Sequence, residues 1–113
     1  MRLIYALALV VASATAVTAT SVSAVSAAEV AVTLKNHKFS PSEIKVKAGV
    51  SNVIILSNED ASVEEFDSTA LKIEKIVPGH KKAKIRLRPL SPGRYPFMGE
   101  FHSETAQGVV IAE

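Results

Sequence analysis

From Val30 to the C-terminus, apolar side chains recur at every second position in short segments separated by Gly, Pro and Asn. A period of two is the signature of strands with one buried face, and no segment sustains the 3.6-residue period of a helix. Val30, Val32 and Leu34 alternate with smaller or polar residues, and Ile44, Val46 and Ala48 alternate with Lys45 and Lys47 up to Gly49. Val53–Leu56 is a continuous apolar run, as in a strand covered on both sides. Leu71 and Ile73 open a segment ending at Pro78-Gly79, and Ala83, Ile85 and Leu87 alternate with Lys82, Lys84, Arg86 and Arg88. Tyr95 and Phe97 follow the Ser91-Pro92-Gly93 turn, and the chain closes on Val109–Ala112. Together these predict about seven strands in an all-β sandwich, with a loop holding at most one turn between Asp60 and Ala70. Pro96, inside the Tyr95–Met98 strand, must sit where its missing N–H is not needed.

The sequence has 113 residues and no cysteine. Its first 28 residues read differently from the rest. Arg2 precedes the apolar run Leu3–Val11, and a bland Ala/Ser/Thr/Val stretch leads to small residues at Ala27 and Ala28. That is the plan of a secretory signal over residues 1–28, cleaved near residue 27 or 28. The uncharged span from Leu3 to Ala28 also exceeds the ~20 residues that cross a bilayer, so an uncleaved anchor is the alternative. Seven Ser or Thr between Ser13 and Ser26 dilute its hydrophobicity. Both readings predict export to the periplasm. The remaining domain, residues 29–113, must then hold together without a disulfide, and a domain of that size buries only about 60% of its unfolded surface.

Charge is polarised. Glu59, Asp60, Glu64, Glu65 and Asp67 crowd one segment, Glu100 and Glu104 flank His102, and lysines and arginines fill the chain between. The basic run has no interleaved aromatics, so nucleic-acid binding has no support. Hydrolytic motifs are absent: the sequence has no GxSxG elbow, no HExxH and no glycine-rich phosphate loop.

Phe39–Gly49 (FSPSEIKVKAG), Asn58–Asp60 (NED), Val77–Gly79 (VPG), Leu90–Phe97 (LSPGRYPF) and Phe101–Gly108 (FHSETAQG) occur in an order that resembles the cupredoxin-like domain. More narrowly, the chain is similar to the small periplasmic cupredoxin-like proteins of bacterial iron uptake, and to the EfeO-type cupredoxin-like domain that works with a ferrous-iron permease. The resemblance implies a Greek-key β-sandwich, an iron or copper ion, and a membrane iron permease or another periplasmic uptake component as partner.

It also implies what is missing. A blue-copper domain holds its ion with two His, one Cys and an axial Met. In the matching positions stand Glu64, Gly99, His102 and Thr105, so only His102 survives and a type 1 blue-copper centre is excluded. The remaining candidates for metal are His102, Glu64, Glu65, Glu100, Glu104 and Met98. Carboxylates and imidazole suit Fe²⁺, Mn²⁺, Zn²⁺ or Cu²⁺, whereas the Met98 thioether favours copper. Strand parity would put Met98, Glu100 and His102 on one side. Glu64 and Glu65, being adjacent, would point opposite ways. The resemblance further implies that the loops carrying Glu64 and His102 meet at one pole of the sandwich. His37 and His80 read as surface turn residues, with His37 a distant candidate for the pole.

Two functions of different kind follow. One is an exported metal-binding protein that captures iron, or uses bound copper to oxidise Fe²⁺, for a permease. The other is a metal-free β-sandwich interaction module that has lost its copper site.

Overall fold

The computed structural model describes residues 2–4, 6, 8–20 and 28–113. Of the two expected cleavage points, the one after Ala27 touches a residue outside them, and the one after Ala28 falls within the first strand. Residues 2–4, 6 and 8–20 form neither helix nor strand, and among the described residues no helix is long and apolar enough to cross a membrane.

Nine strands follow: β1 (Ala28–Lys35), β2 (Lys38–Ser40), β3 (Glu43–Val46), β4 (Asn52–Asn58), β5 (Glu64–Ser68), β6 (Ile73–Val77), β7 (Lys82–Leu87), β8 (Gly93–Gly99) and β9 (Gln107–Ala112). They form a four-stranded sheet, β2-β1-β4-β7, packed on a five-stranded sheet, β3-β9-β8-β5-β6. β1 runs parallel to β4 and β3 to β9, and every other pairing is antiparallel. The all-β sandwich is as the alternation predicts. Seven of the nine strands lie where the sequence places them, and β2 and β5 are additional.

The period-two pattern sets the layers. Val32, Leu34, Ile54, Leu56, Ile85 and Leu87 face inward from one sheet, meeting Ile44, Val46, Phe66, Phe97 and Val110 from the other. Phe66 stacks on Phe97 at 4.7 Å between centroids, and Phe39 meets Phe97 edge-on at 5.0 Å. Edge-on and offset pairs of this kind add to plain burial.

β7 is a sheet edge, and its Lys82, Lys84 and Arg86 point to solvent, where charge blocks further strand addition. Arg88 leaves that stripe and donates to the Leu71 carbonyl at 2.6 Å, tying the two sheets together. β8 pairs with β5 only at Gly99 and Met98, so Pro96 lies where that ladder has ended, and its carbonyl accepts from the Ser68 hydroxyl instead.

Phe66 is almost completely buried between the other two phenylalanines. Replacing it with alanine should cost about 3–5 kcal/mol, a large part of the ~5–15 kcal/mol holding a domain of this kind. Urea denaturation of the Phe66→Ala variant measures this directly; a loss below 1 kcal/mol would mean the ring is not central.

Candidate functional site

β5 begins at Glu64, whose parity on the strand is that of Phe66 and Ser68, so its side chain points into the sandwich. Glu65 and Asp67 take the opposite, outer face. The glutamate is 1% exposed, and a carboxylate so placed requires partners for its oxygens. It has them. Oε1 accepts from the backbone N–H of Glu65 at 3.0 Å and of Phe101 at 2.9 Å. Oε2 lies 2.5 Å from His102 Nδ1.

The far side of this contact is built by the β8–β9 connection. β8 stops at Gly99, and residues Glu100–His102 form a single 3₁₀ turn. Gly99 N–H bonds to the Ala106 carbonyl at 2.8 Å, and the Thr105 and Ala106 N–H groups both bond to the His102 carbonyl. The tight turn swings the His102 ring back beneath the sheet toward Glu64. Gly99 is required for this approach: a Cβ there would come within 2.6 Å of Glu64 Cδ and 2.8 Å of Ala106 Cβ.

Because Oε1 is committed to two backbone donors, Oε2 is the acceptor that faces Nδ1 of the ring. In the neutral ring this pairing puts the proton on Nδ1 and leaves the lone pair on Nε2. A carboxylate that fixes an imidazole through one nitrogen and leaves the other available is the usual support of a metal-binding histidine. Glu64 is thus spent on positioning His102.

A second histidine lies at the same pole. Asn36 and His37 form the two-residue turn between β1 and β2, with φ of 52° and 57°. Left-handed backbone at both positions is the pattern of a type I′ hairpin, in which Asn-Gly is the favoured pair and histidine is uncommon. Asp60 holds the turn: its carboxylate accepts from Asn36 N–H at 2.8 Å and His37 N–H at 2.9 Å. The buried Asn58 in turn accepts from Asp60 N–H and donates to the Ser62 and Val77 carbonyls. The NED motif is therefore the bracket that fixes the hairpin. Within it the His37 ring stacks on His102, with centroids 3.5 Å apart and planes 11° from parallel. The rings border an open cleft of about 390 Å³ lined also by Phe101, Ser103, Glu104 and Thr105.

The structure therefore brings Glu64 and His102 together, as the meeting of the two loops requires, and adds His37. Glu104 is on the cleft rim. It does not gather Met98, Glu100 and His102: the 3₁₀ turn ends strand parity at Gly99. Met98 faces outward, 41% exposed, with Asp67 and Gln107 as its cross-strand neighbours. Glu65 shares that outer face. Among the described residues no three His, Cys, Asp or Glu side chains surround one point as a metal cage would.

A blue-copper centre does not fit this site. The cysteine position is Gly99, and the volume a side chain there would fill holds the Glu64 carboxylate. An open site supported by imidazole nitrogen does fit, with His102 Nε2 as its fixed donor.

Two acids near the site are shifted in opposite directions. The His37 N–H holds the Asp60 carboxyl below its ordinary value, aided by Asn36 N–H and the nearby imidazoles and opposed by desolvation. Partial burial raises Glu65, with the charges of Glu100, Glu74 and Asp67 adding to it. A lowered carboxyl contributes stability above the unfolded carboxylate range and loses it as pH falls through the folded value; a raised one destabilises at neutral pH and is relieved on acidification. Asp60→Asn should therefore lower the melting temperature at pH 7, and Glu65→Gln should raise it. Both differences should shrink as the pH drops through the carboxylate range, in melting curves taken between pH 7 and pH 3. Gly99→Ala should destabilise by about 1–3 kcal/mol as the site repacks. Its urea midpoint, read with the His102 ring resonances, checks that the strain falls on the Glu64 contact.

Comparisons with known proteins agree with the architecture. A curated relative, an uncharacterized protein of Rickettsia prowazekii (strain Madrid E), is 45% identical over 83 residues, which are 74% of this chain and 66% of that protein. Auracyanin A, a blue copper protein of Chloroflexus aurantiacus, superposes with a TM-score of 0.66 at 14% identity, over 78% of this chain and all of that one. The metal-binding domain of the Cu(I)-exporting P-type ATPase CopA of Streptococcus pneumoniae D39 gives 0.64 at 15% identity, over 75% and 84% of the two chains. At such identities these two similarities speak for the fold alone. The description of the cupredoxin-like domain matches residues 3–112, and the chain belongs to that family.

Proposed function

We propose that the protein is an exported metal-binding module of an iron-uptake system, which takes an ion at the His102 pole and hands it to a membrane permease or another periplasmic uptake component. The observation that carries this reading is the clamp of His102 Nδ1 by the buried Glu64, which leaves Nε2 free at an open cleft. A fully enclosed four-ligand site resists release, whereas a site with protein donors on one side and solvent on the other exchanges its ion. The donor chemistry is imidazole with Glu104 at the rim, which suits Fe²⁺, Zn²⁺ and Cu²⁺. Two fold neighbours are described as copper proteins, which supports a bound ion without locating it.

The iron assignment follows from the resemblance to iron-uptake cupredoxins. A copper-dependent oxidation of Fe²⁺ would use the same pole, without help from Met98, which faces away from it. The alternative, a metal-free interaction module, is favoured by one observation: no third metal-ligating side chain joins the histidines among the described residues.

An anaerobic calorimetric titration of the full-length chain with Fe²⁺, and separately with Cu²⁺, decides between them. Saturable one-to-one binding that disappears in His102→Ala is the expected result. Glu64→Gln should weaken binding by about 10- to 100-fold, the usual effect of removing the support of a metal-bound imidazole. Binding of neither ion, or binding unchanged in His102→Ala, would leave the interaction module standing.

A further inference from the structure

We propose that His37 is the second protein ligand of the pole, so that the β1–β2 hairpin and the β8–β9 turn together form a two-imidazole site for a borderline divalent ion, Cu²⁺ being held tightest. The inference rests on the metal-binding reading above and goes beyond it by naming a ligand from a different element and the class of ion.

Three independent features point to His37. Its ring lies flat on His102 at 3.5 Å, so two imidazoles from residues far apart in sequence are delivered to one place. The cleft they border is lined by Phe101 and by the polar Ser103, Glu104 and Thr105. The backbone of His37 is left-handed, with φ 57°, at a turn position where glycine would be least strained. Residues kept in such conformations against local preference concentrate where a side chain is needed for function. Finally, the strain is held by a dedicated bracket. Both turn N–H groups are taken by Asp60, which is itself fixed by the buried Asn58. The bracket fixes the hairpin that carries Phe39 into the core and, with it, where the His37 ring can be.

The two rings are held unequally. His102 is locked through Nδ1 to Glu64, whereas the His37 side chain has a single hydrogen bond, between Nε2 and the Ser62 hydroxyl at 3.3 Å. His102 is the fixed donor and His37 the adjustable one. Two imidazoles without thiolate or thioether favour borderline divalent ions over Cu⁺, and among first-row ions a nitrogen site binds Cu²⁺ most strongly. The remaining coordination positions are left to water or to a transferred ligand, consistent with exchange.

The probe is Cu²⁺ added to the full-length chain, read by electron paramagnetic resonance with resolved nitrogen couplings and by competitive titration. The test variant is His37→Asn, because asparagine accepts left-handed backbone and keeps the Asp60 bracket. The wild type should show coupling to two imidazole nitrogens and no intense blue thiolate band. His37→Asn should show one imidazole and at least a tenfold weaker affinity, with its melting temperature unchanged without metal. His80→Asn should match the wild type. Two-nitrogen coupling and unchanged affinity in His37→Asn would overturn the His37 assignment while leaving metal binding at His102 intact. No copper bound by the wild type would sink the metal-binding reading and this pair with it.

Discussion

Everything at the pole depends on one buried carboxylate. Glu64 sits where an inward strand position would ordinarily be apolar, and an unpartnered carboxylate there would be prohibitive. The fold answers with three donors from two segments: its own neighbour's N–H, the Phe101 N–H of the 3₁₀ turn, and the His102 ring. Satisfying Glu64 thus dictates that β8 ends at Gly99, that the chain turns tightly there, and that His102 faces inward through Nδ1. The functional-looking histidine is a consequence of the structural glutamate. Its other nitrogen, in turn, is directed by a rigid, buried partner.

How much of this was legible in the sequence divides along physical lines. The sandwich was legible, because short apolar segments, most alternating and Val53–Leu56 and Val109–Ala112 continuous, recur between Gly and Pro turns. β5 was not, since EEFDS presents three acids in five residues and reads as a solvated loop; only Phe66 and the buried Glu64 reveal its inward face. β2 is three residues long and exists because the Asn36-His37 turn folds it back on β1. The grouping of Met98 with His102 failed for a different reason. Strand parity was extrapolated past Gly99, and a single 3₁₀ turn broke it. The convergence of Glu64 and His102 was foreseen through resemblance to the cupredoxin-like domain. Spacing alone, with the two 38 positions apart, carries no such information. For His37, the available signal was the NED motif: an aspartate able to cap a distant hairpin.

The outer face of the β5–β6–β8 layer behaves differently from the pole. Asp67 stands directly opposite Glu74, and Glu65 opposite the exposed Ile76. Like charges facing across a ladder repel, and among the described residues neither acid has a salt-bridge partner, the ion pairs being Arg94–Glu43 and His102–Glu64. The acids crowded into this segment therefore split by strand parity into two populations. Glu64 faces inward, tightly bonded, and orients an imidazole. Glu65 and Asp67 face solvent, where their mutual repulsion is tolerated by water and screened by salt. Acid content in a segment says little about metal until the face each acid occupies is known.

The relation between this site and a thiolate copper site is one of exclusion. Gly99 and Glu64 share a volume: the space a Cβ at residue 99 would enter is held by the glutamate's Cδ and Oε2, at 2.6 and 2.8 Å. Introducing a cysteine at residue 99 alone would displace the carboxylate from its backbone donors and release His102. Restoring a histidine at residue 64 alone would leave no thiolate to complete the trigonal set. Each single step passes through an arrangement that satisfies neither chemistry, so the two sites are alternative solutions for one pole of the same sandwich. A cupredoxin-like scaffold built around Glu64 is thereby closed to a thiolate at residue 99, because the carboxylate already fills that space.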